Sequence, residues 1–248
     1  MGRKGGAPFF RFAFSFFFIT NPPLHLNGAQ SMHHHDENKG KKVALIGASI
    51  ARDWKIESLP ERLRNDDYAF EYVASGGFDK SPRLVEILGR ANKKPAAVIL
   101  KECAAYFPGD FASYQAMMTR WVRECRRADV IPIPATVIPV TRLHAYKKFA
   151  IDIVKFRNPF KPGVPFRQKR QKQILEYNDW IRLYCQQNGL PVCDLERAVR
   201  QSEKSRYLRT AFAKIDGLHL GKEGYAALDG AVMMTLKSIA WKTANKES

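Results

Sequence analysis

Asp216 and His219 stand three residues apart in Asp216-Gly217-Leu218-His219, a spacing at which a carboxylate and an imidazole can meet in one site. Such a pair activates a weak nucleophile: the imidazole takes its proton while the carboxylate fixes the ring's tautomer. A hydroxyl for that role is offered by Ser49, near the end of the run Val43-Ala44-Leu45-Ile46-Gly47-Ala48-Ser49-Ile50. An apolar run closing in small residues reads as a strand entering a turn, and α/β sheets bind ligands at that end of their strands. Ser49, His219 and Asp216 are therefore the candidate nucleophile, base and orienting acid. His219 is the base by elimination, because His25 and His33 to His35 lie in a leader and His144 reads as a surface residue of an insertion. Taken singly, Gly-Ala-Ser also suits a cap and Asp-Gly a turn. Their joint occurrence, in this chain order, is what argues for chemistry.

The rest of the chain alternates elements that would carry these residues. Val43 to Ile46 reads as a first strand and Ala51 to Arg64 as helix-compatible. Phe70 to Ala74 is a second strand ending in Ser75-Gly76-Gly77, where glycine permits close backbone approach to a ligand. Ser81-Pro82 reads as a cap with proline at the first helical position, followed by Leu84, Ile87, Leu88 and Ala91 at helical spacing. Ala96 to Lys101 is a third strand, Glu102 to Asp110 a loop, and the next helix carries Met117, Met118, Trp121, Val122 and Cys125 on its core stripe. Val130 to Val137 is a fourth strand that Pro132 and Pro134 should make irregular or bulged, since proline cannot donate to a ladder. A helix from about Gln168 aligns Ile174, Asn178, Ile181 and Cys185 and stops at Asn188-Gly189. Pro191 to Leu195 is a fifth strand, and Gly221 to Trp241 a closing helix with Ala227, Leu228, Ala231 and Met234 inward. The alternation predicts a doubly wound α/β fold around a parallel sheet.

At 248 residues, 45% hydrophobic and 26% charged, the chain suits one ordinary core. Lys and Arg number 41 against 24 Asp and Glu, a net +17, of which residues 1–31 supply only three charges (Arg3, Lys4, Arg11). The body itself is basic. That field favours anionic partners or a plain solvated surface, and specifies no reaction. From Arg142 to Lys172 ten basic residues meet one acid, Asp152, with Phe149, Phe156, Phe160 and Phe166 interleaved. Cys103, Cys125, Cys185 and Cys193 lack metal-ligand spacing, so no metal is expected; Cys185 and Cys193 flank a short connection and could pair in an oxidising compartment, but two separate buried thiols are the preferred reading. Arg3, Lys4 and Arg11 with the apolar run Phe12 to Ile19 and the small-residue stretch Ala29-Gln30-Ser31 suit a signal peptide over residues 1–31. The run is too short to span a membrane. This reading implies export to the periplasm or beyond; a start at Met32 would imply a cytoplasmic protein.

Several separated blocks resemble the GDSL/SGNH hydrolase family across roughly residues 43–235. Gly47-Ala48-Ser49-Ile50 resembles its nucleophile block and Gly76 its oxyanion glycine. Tyr177-Asn178 with Val192-Cys193-Asp194-Leu195 resembles its late helix and fifth strand, and Asp216 to Leu220 with Gly224-Tyr225 its acid and base block. The resemblance implies a flavodoxin-like, five-stranded parallel sheet in the order 2-1-3-4-5 with helices on both faces. With the residue readings above, the chain divides into a leader and disordered lead-in over residues 1–41 and a catalytic domain over 42–245 that carries the basic insertion at 142–172. The resemblance also implies ester hydrolysis through a Ser49 acyl-enzyme, with the Ser49 and Gly76 N–H groups as oxyanion donors and no cofactor. Three departures stand out: Ala48 replaces an acid, Asp53 a glycine, and Cys103-Ala104-Ala105-Tyr106 stands in place of Gly-x-Asn-Asp, so the family's asparagine donor is missing.

A nucleotide-dependent oxidoreductase is excluded because the residues after Gly47 contain no further glycine of a Gly-x-Gly-x-x-Gly cradle and Asp53 would repel a pyrophosphate. A non-catalytic polyanion binder would use the basic and aromatic residues, but no nucleic-acid motif is present and nucleic acid is not the expected partner. An O-acyltransferase would use the same acyl-enzyme with a sugar hydroxyl as acceptor. The expected substrate is a small-molecule, lipid or glycan ester, with an anionic one suggested by the charge.

Overall fold

The computed structural model describes residues 40–144 and 166–241, with only the backbone of 166–169. Its elements, in chain order, are β1 (Lys41–Gly47), α1 (Ser49–Trp54), α2 (Leu59–Leu63), β2 (Tyr68–Ala74), α3 (Ser81–Leu88), β3 (Ala97–Lys101), α4 (Phe111–Arg127), β4 (Ile131–Ala135), α5 (Phe166–Gln187), α6 (Leu195–Val199) and α7 (Lys222–Lys237). Of the leader and lead-in expected over residues 1–41, residues 1–39 lie outside the described residues, and Lys41 already belongs to β1; residues 145–165 of the basic segment also lie outside them.

The four strands are parallel and ordered β2-β1-β3-β4. β1 is central, running beside β2 from Lys41 opposite Tyr68 to Gly47 opposite Ala74, and beside β3 from Val43 opposite Ala97 to Ile46 opposite Leu100. Because side chains alternate along a strand, both faces must be apolar for such a sheet to be buried. Val43, Leu45, Ile99 and Ile133 join the core shared with α1, α6 and α7; Ala44, Ile46, Val98 and Leu100 join the core shared with α3, α4 and α5. The doubly wound α/β reading holds.

The fifth strand does not form as expected. Cys193 makes one parallel bridge to Ala135, giving and receiving a single pair of bonds: its N–H donates to the Pro134 carbonyl at 2.9 Å, and the Thr136 N–H donates to its carbonyl at 3.0 Å. The cause lies in β4. Ile131 donates towards β3, through the Ala96 carbonyl, so alternation turns positions 132 and 134 towards the far edge, and both are proline without an N–H. The prolines therefore leave β4 unbulged, contrary to the sequence reading, and deny its outer neighbour a ladder. Asp194 then caps α6 by accepting the Arg197 N–H, so Leu195 is helical.

Smaller differences have equally local causes. The stretch from Ala51 to Arg64 breaks at Lys55, whose left-handed φ of 52° ends α1. α3 starts on Lys80 as its cap, with the Asp79 carboxylate accepting the Ser81 N–H at 2.8 Å, and ends before Ala91. Met234 is exposed at 70%, whereas Leu228, Ala231, Val232, Met233 and Leu236 are buried. At about 100° per residue Met234 sits roughly 120° from Leu228. The buried arc instead takes in Asp229, bonded to Trp54 Nε1 at 2.7 Å and clamped by Arg62 at 2.7 and 2.9 Å. All four cysteines are buried and unpaired. Among the described residues no helix is long and apolar enough to cross a membrane.

Candidate active site

Ser49 is placed by a close approach of strand and helix. A side chain at Gly47 would put its Cβ 2.6 Å from that of Ala51, so only glycine lets α1 fold back over the end of β1. Tyr72 on β2 donates its hydroxyl to the Gly47 carbonyl at 3.2 Å and steadies the turn. Ser49 is the half-buried first residue of α1. Its N–H belongs to the first turn, where no carbonyl four residues back is available within the helix.

Asp216 and His219 lie on a loop closed into a short hairpin. Ala213 bridges Leu220, the Lys214 N–H donates to the His219 carbonyl at 2.7 Å, and the Gly221 N–H donates to that of Phe212 at 2.8 Å. At the tip Gly217 has φ 69°, a region favouring glycine, and an added Cβ would lie 2.8 Å from His144 Cβ. The two Asp216 oxygens divide their work. Oδ1 accepts the N–H groups of Leu218 and His219, both at 2.9 Å, while Oδ2 faces His219 Nδ1 at 2.6 Å. Burial alone would raise the Asp216 pKa, but the Leu218 N–H, the imidazole and the His219 N–H outweigh it and bring it down to about 2. The other ring nitrogen, His219 Nε2, lies 3.3 Å from Ser49 Oγ. Ser49, 167 positions from Asp216 in sequence, is thus joined to it through the ring in one continuous line of contacts; with its proton on Nδ1 the ring donates to Asp216 and can accept from Ser49 at Nε2.

Gly76 reaches the same end of the sheet. Ala74 lies opposite Gly47, and the Ser75 N–H donates to the Gly47 carbonyl at 3.0 Å, so the two chains leave the sheet side by side towards Gly76 and Ser49. Gly76 is exposed, with open space where a Cβ would be. Beyond β3, the segment expected to be a loop contains a 3₁₀ turn, Ala104–Tyr106. Ala105 is exposed and has no polar side chain to offer, while the Tyr106 hydroxyl donates to the Gly76 carbonyl at 2.7 Å.

Two features escaped the sequence reading. His144 is half-buried rather than a free surface residue: its Nδ1 lies 2.7 Å from the Asp216 carbonyl and its N–H donates to Thr141 Oγ1 at 3.1 Å, so the chain leaving β4 braces the acid turn. Beneath the Gly76 loop lie Lys80, Lys101 and Glu102, each at most 1% exposed, with Lys80 Nζ 2.7 Å from Glu102 Oε2. A Lys-Glu pair directly after the apolar run Ala97 to Leu100 was the available signal. The last residues of the basic segment belong to α5, where Arg170 donates to the Phe107 carbonyl at 2.6 Å and Gln171 is buried. Asn178 is buried behind β4, joining the Val137 backbone and Glu196, and takes no part in the site.

The architecture has known counterparts. A GDSL-like lipase from Bacteroides thetaiotaomicron superposes with a TM-score of 0.58 at 18% identity, over 80% of this chain and 89% of that one. An acetylxylan esterase from Geobacillus stearothermophilus does so with a TM-score of 0.54 at 14% identity, over 83% and 98%. No family model matches the chain, and no curated protein matches it. The fold is that of the GDSL/SGNH hydrolases.

Proposed function

We propose that the protein is a serine ester hydrolase of the SGNH type, with residues 42–245 forming its catalytic domain. The observation that carries this reading is the line of bonds from Ser49 Oγ through His219 to Asp216 at the carboxyl end of the sheet. Ser49 Oγ attacks the ester carbonyl carbon as its proton passes to His219 Nε2; the resulting imidazolium is held by Asp216. The Ser49 and Gly76 N–H groups meet the oxyanion. Collapse breaks the bond to the alcohol, which leaves with the proton from Nε2. Water then repeats the sequence on the acyl-enzyme and frees the acid. The shared fold with a lipase and an acetylxylan esterase supports an ester substrate, and the net +17 of the chain supports an anionic lipid or acylated glycan. Hydrolysis of an activated acetyl ester tests the reading. Wild type should turn it over and Ser49→Ala should not; equal rates would remove Ser49 from the chemistry.

A further inference from the structure

The segment that would carry an asparagine donor in this fold ends instead in Tyr106, and the contacts of that tyrosine indicate a different task. An oxyanion donor works only if it is fixed before charge develops. Here the remaining loop donor is the N–H of Gly76, followed by Gly77, in the most freely rotating kind of backbone. Neither glycine adopts a positive φ, so the loop's shape is not locked by a strained turn. Its amino end is tied through the Ser75 N–H to Gly47, and its carboxyl end through buried Lys80, bonded to Glu102 at 2.7 Å. Between them the hydroxyl of Tyr106 takes hold of the Gly76 carbonyl at 2.7 Å.

Tyr106 is itself held firmly. Its ring packs edge-on against Phe78 with centroids 5.9 Å apart, and the Lys80 ammonium lies 5.3 Å from its centroid and 5.2 Å from that of Trp121. Its N–H donates to the Cys103 carbonyl at 3.1 Å, and its carbonyl accepts the Tyr114 hydroxyl. Burial, reinforced by Cys103 and Glu102, pushes the phenol up to about 12, so the hydroxyl keeps the proton it donates. Lys80 and Glu102 thereby support the loop twice, once through the chain and once through the tyrosine ring.

We infer that Tyr106 is a positioning residue: by holding the Gly76 carbonyl it fixes the backbone torsions of Gly76, and with them the aim of the Gly76 N–H as an oxyanion donor, compensating for the missing asparagine side chain. This rests on the ester-hydrolase reading of Ser49, His219 and Asp216. The test is Tyr106→Phe, which removes only the hydroxyl. Rates are counted per Ser49 that reacts with a fluorophosphonate, so misfolded molecules drop out. On an activated acetyl ester kcat should fall about tenfold or more, towards the roughly 10²–10³-fold loss typical of deleting one oxyanion donor. KM should stay within about twofold, because the contact to the oxyanion is made only in the transition state. The inhibition constant of an alkyl boronic acid, whose Ser49 adduct is tetrahedral and anionic, should rise in step with the loss in kcat/KM.

A second variant separates positioning from general loosening. A Cβ at Gly77 meets nothing nearer than the Asp79 carbonyl at 3.7 Å, so Gly77→Ala fits and stiffens the same loop. Added to Tyr106→Phe it should recover part of the lost kcat. Wild-type kcat in Tyr106→Phe, or a loss with no change in boronate inhibition, would overturn the inference while leaving the triad standing, provided Ser49→Ala is inactive. Activity surviving in Ser49→Ala would instead overturn the reading beneath it.

Discussion

Replacing Asp216 by asparagine separates the two jobs of its carboxylate. Oδ1 accepts two backbone N–H groups at 2.9 Å, and an asparagine carbonyl oxygen can accept both. The loop should therefore keep its shape, with stability changed by no more than the roughly 0.5 kcal/mol usual for a surface substitution. Oδ2 faces His219 Nδ1 at 2.6 Å, and there asparagine presents an NH₂ donor. The ring must then accept at Nδ1 and carry its proton on Nε2, the nitrogen that has to take the proton of Ser49. The side chains of His219 and Asp216 are 29% and 46% exposed, so water and salt weaken the charge interaction and the tautomer carries most of the effect. In a serine protease the same change lowers kcat about 10⁴-fold; the exposure here sets the expectation at roughly 10³–10⁴-fold. Asp216→Ala should lose a comparable rate and also lower the melting temperature, since it deprives both N–H groups of their acceptor. Because the Asp216 pKa is lowered to about 2, its charge persists above that pH and is lost only as pH falls through it, so an acid limb at higher pH is not its titration. Steady-state hydrolysis and thermal melting of the two variants provide the assay. Asp216→Asn within tenfold of wild type, or unfolded, would refute the division of labour.

Two further expectations follow from charges elsewhere. Glu196 is fully buried and bonded to Arg206 at 2.6 and 2.7 Å, to Arg182 at 2.8 Å and to Asn178 at 2.9 Å, so Glu196→Ala should cost about 3 kcal/mol in urea unfolding, the lower end for a broken buried pair because both arginines are partly exposed. Burial raises its pKa, but the two arginines more than offset this and lower it; its contribution is therefore complete above the unfolded value of roughly 4.3 and lost as pH falls below it, and the variant should show a shallower acid loss of stability. For the substrate, hydrolysis of a negatively charged ester should fall more steeply with salt than that of a neutral one, on the scale set by a screening length of about 10 Å at 0.1 M. Equal salt responses would remove the anionic preference.

The sequence disclosed the parts of the site whose residue types are restrictive. Gly47 and Gly217 are glycines because neighbouring atoms or a positive φ demand it, and each lies within two residues of a proposed catalytic group. The two-faced apolar runs likewise made the parallel sheet legible. What stayed hidden depended on tertiary partners. Pro132 and Pro134 marked a disturbed edge, but only the pairing direction of β4 shows that the disturbance falls on the fifth strand. Asp229 is buried because Trp54 and Arg62, 175 and 167 positions away, bond its carboxylate, and nothing in its neighbouring residues signals those partners. His144 and Tyr106 act through backbone carbonyls of residues 72 and 30 positions away, contacts that leave no periodic trace in a chain.

The most direct measurement is mass spectrometry of the protein after brief reaction with a fluorophosphonate, followed by peptide mapping. A single adduct on Ser49, formed at a rate that collapses in His219→Ala and Asp216→Asn, is the predicted result. An adduct on another residue, or labelling of Ser49 at undiminished rates in both variants, would contradict an activated serine at the end of β1.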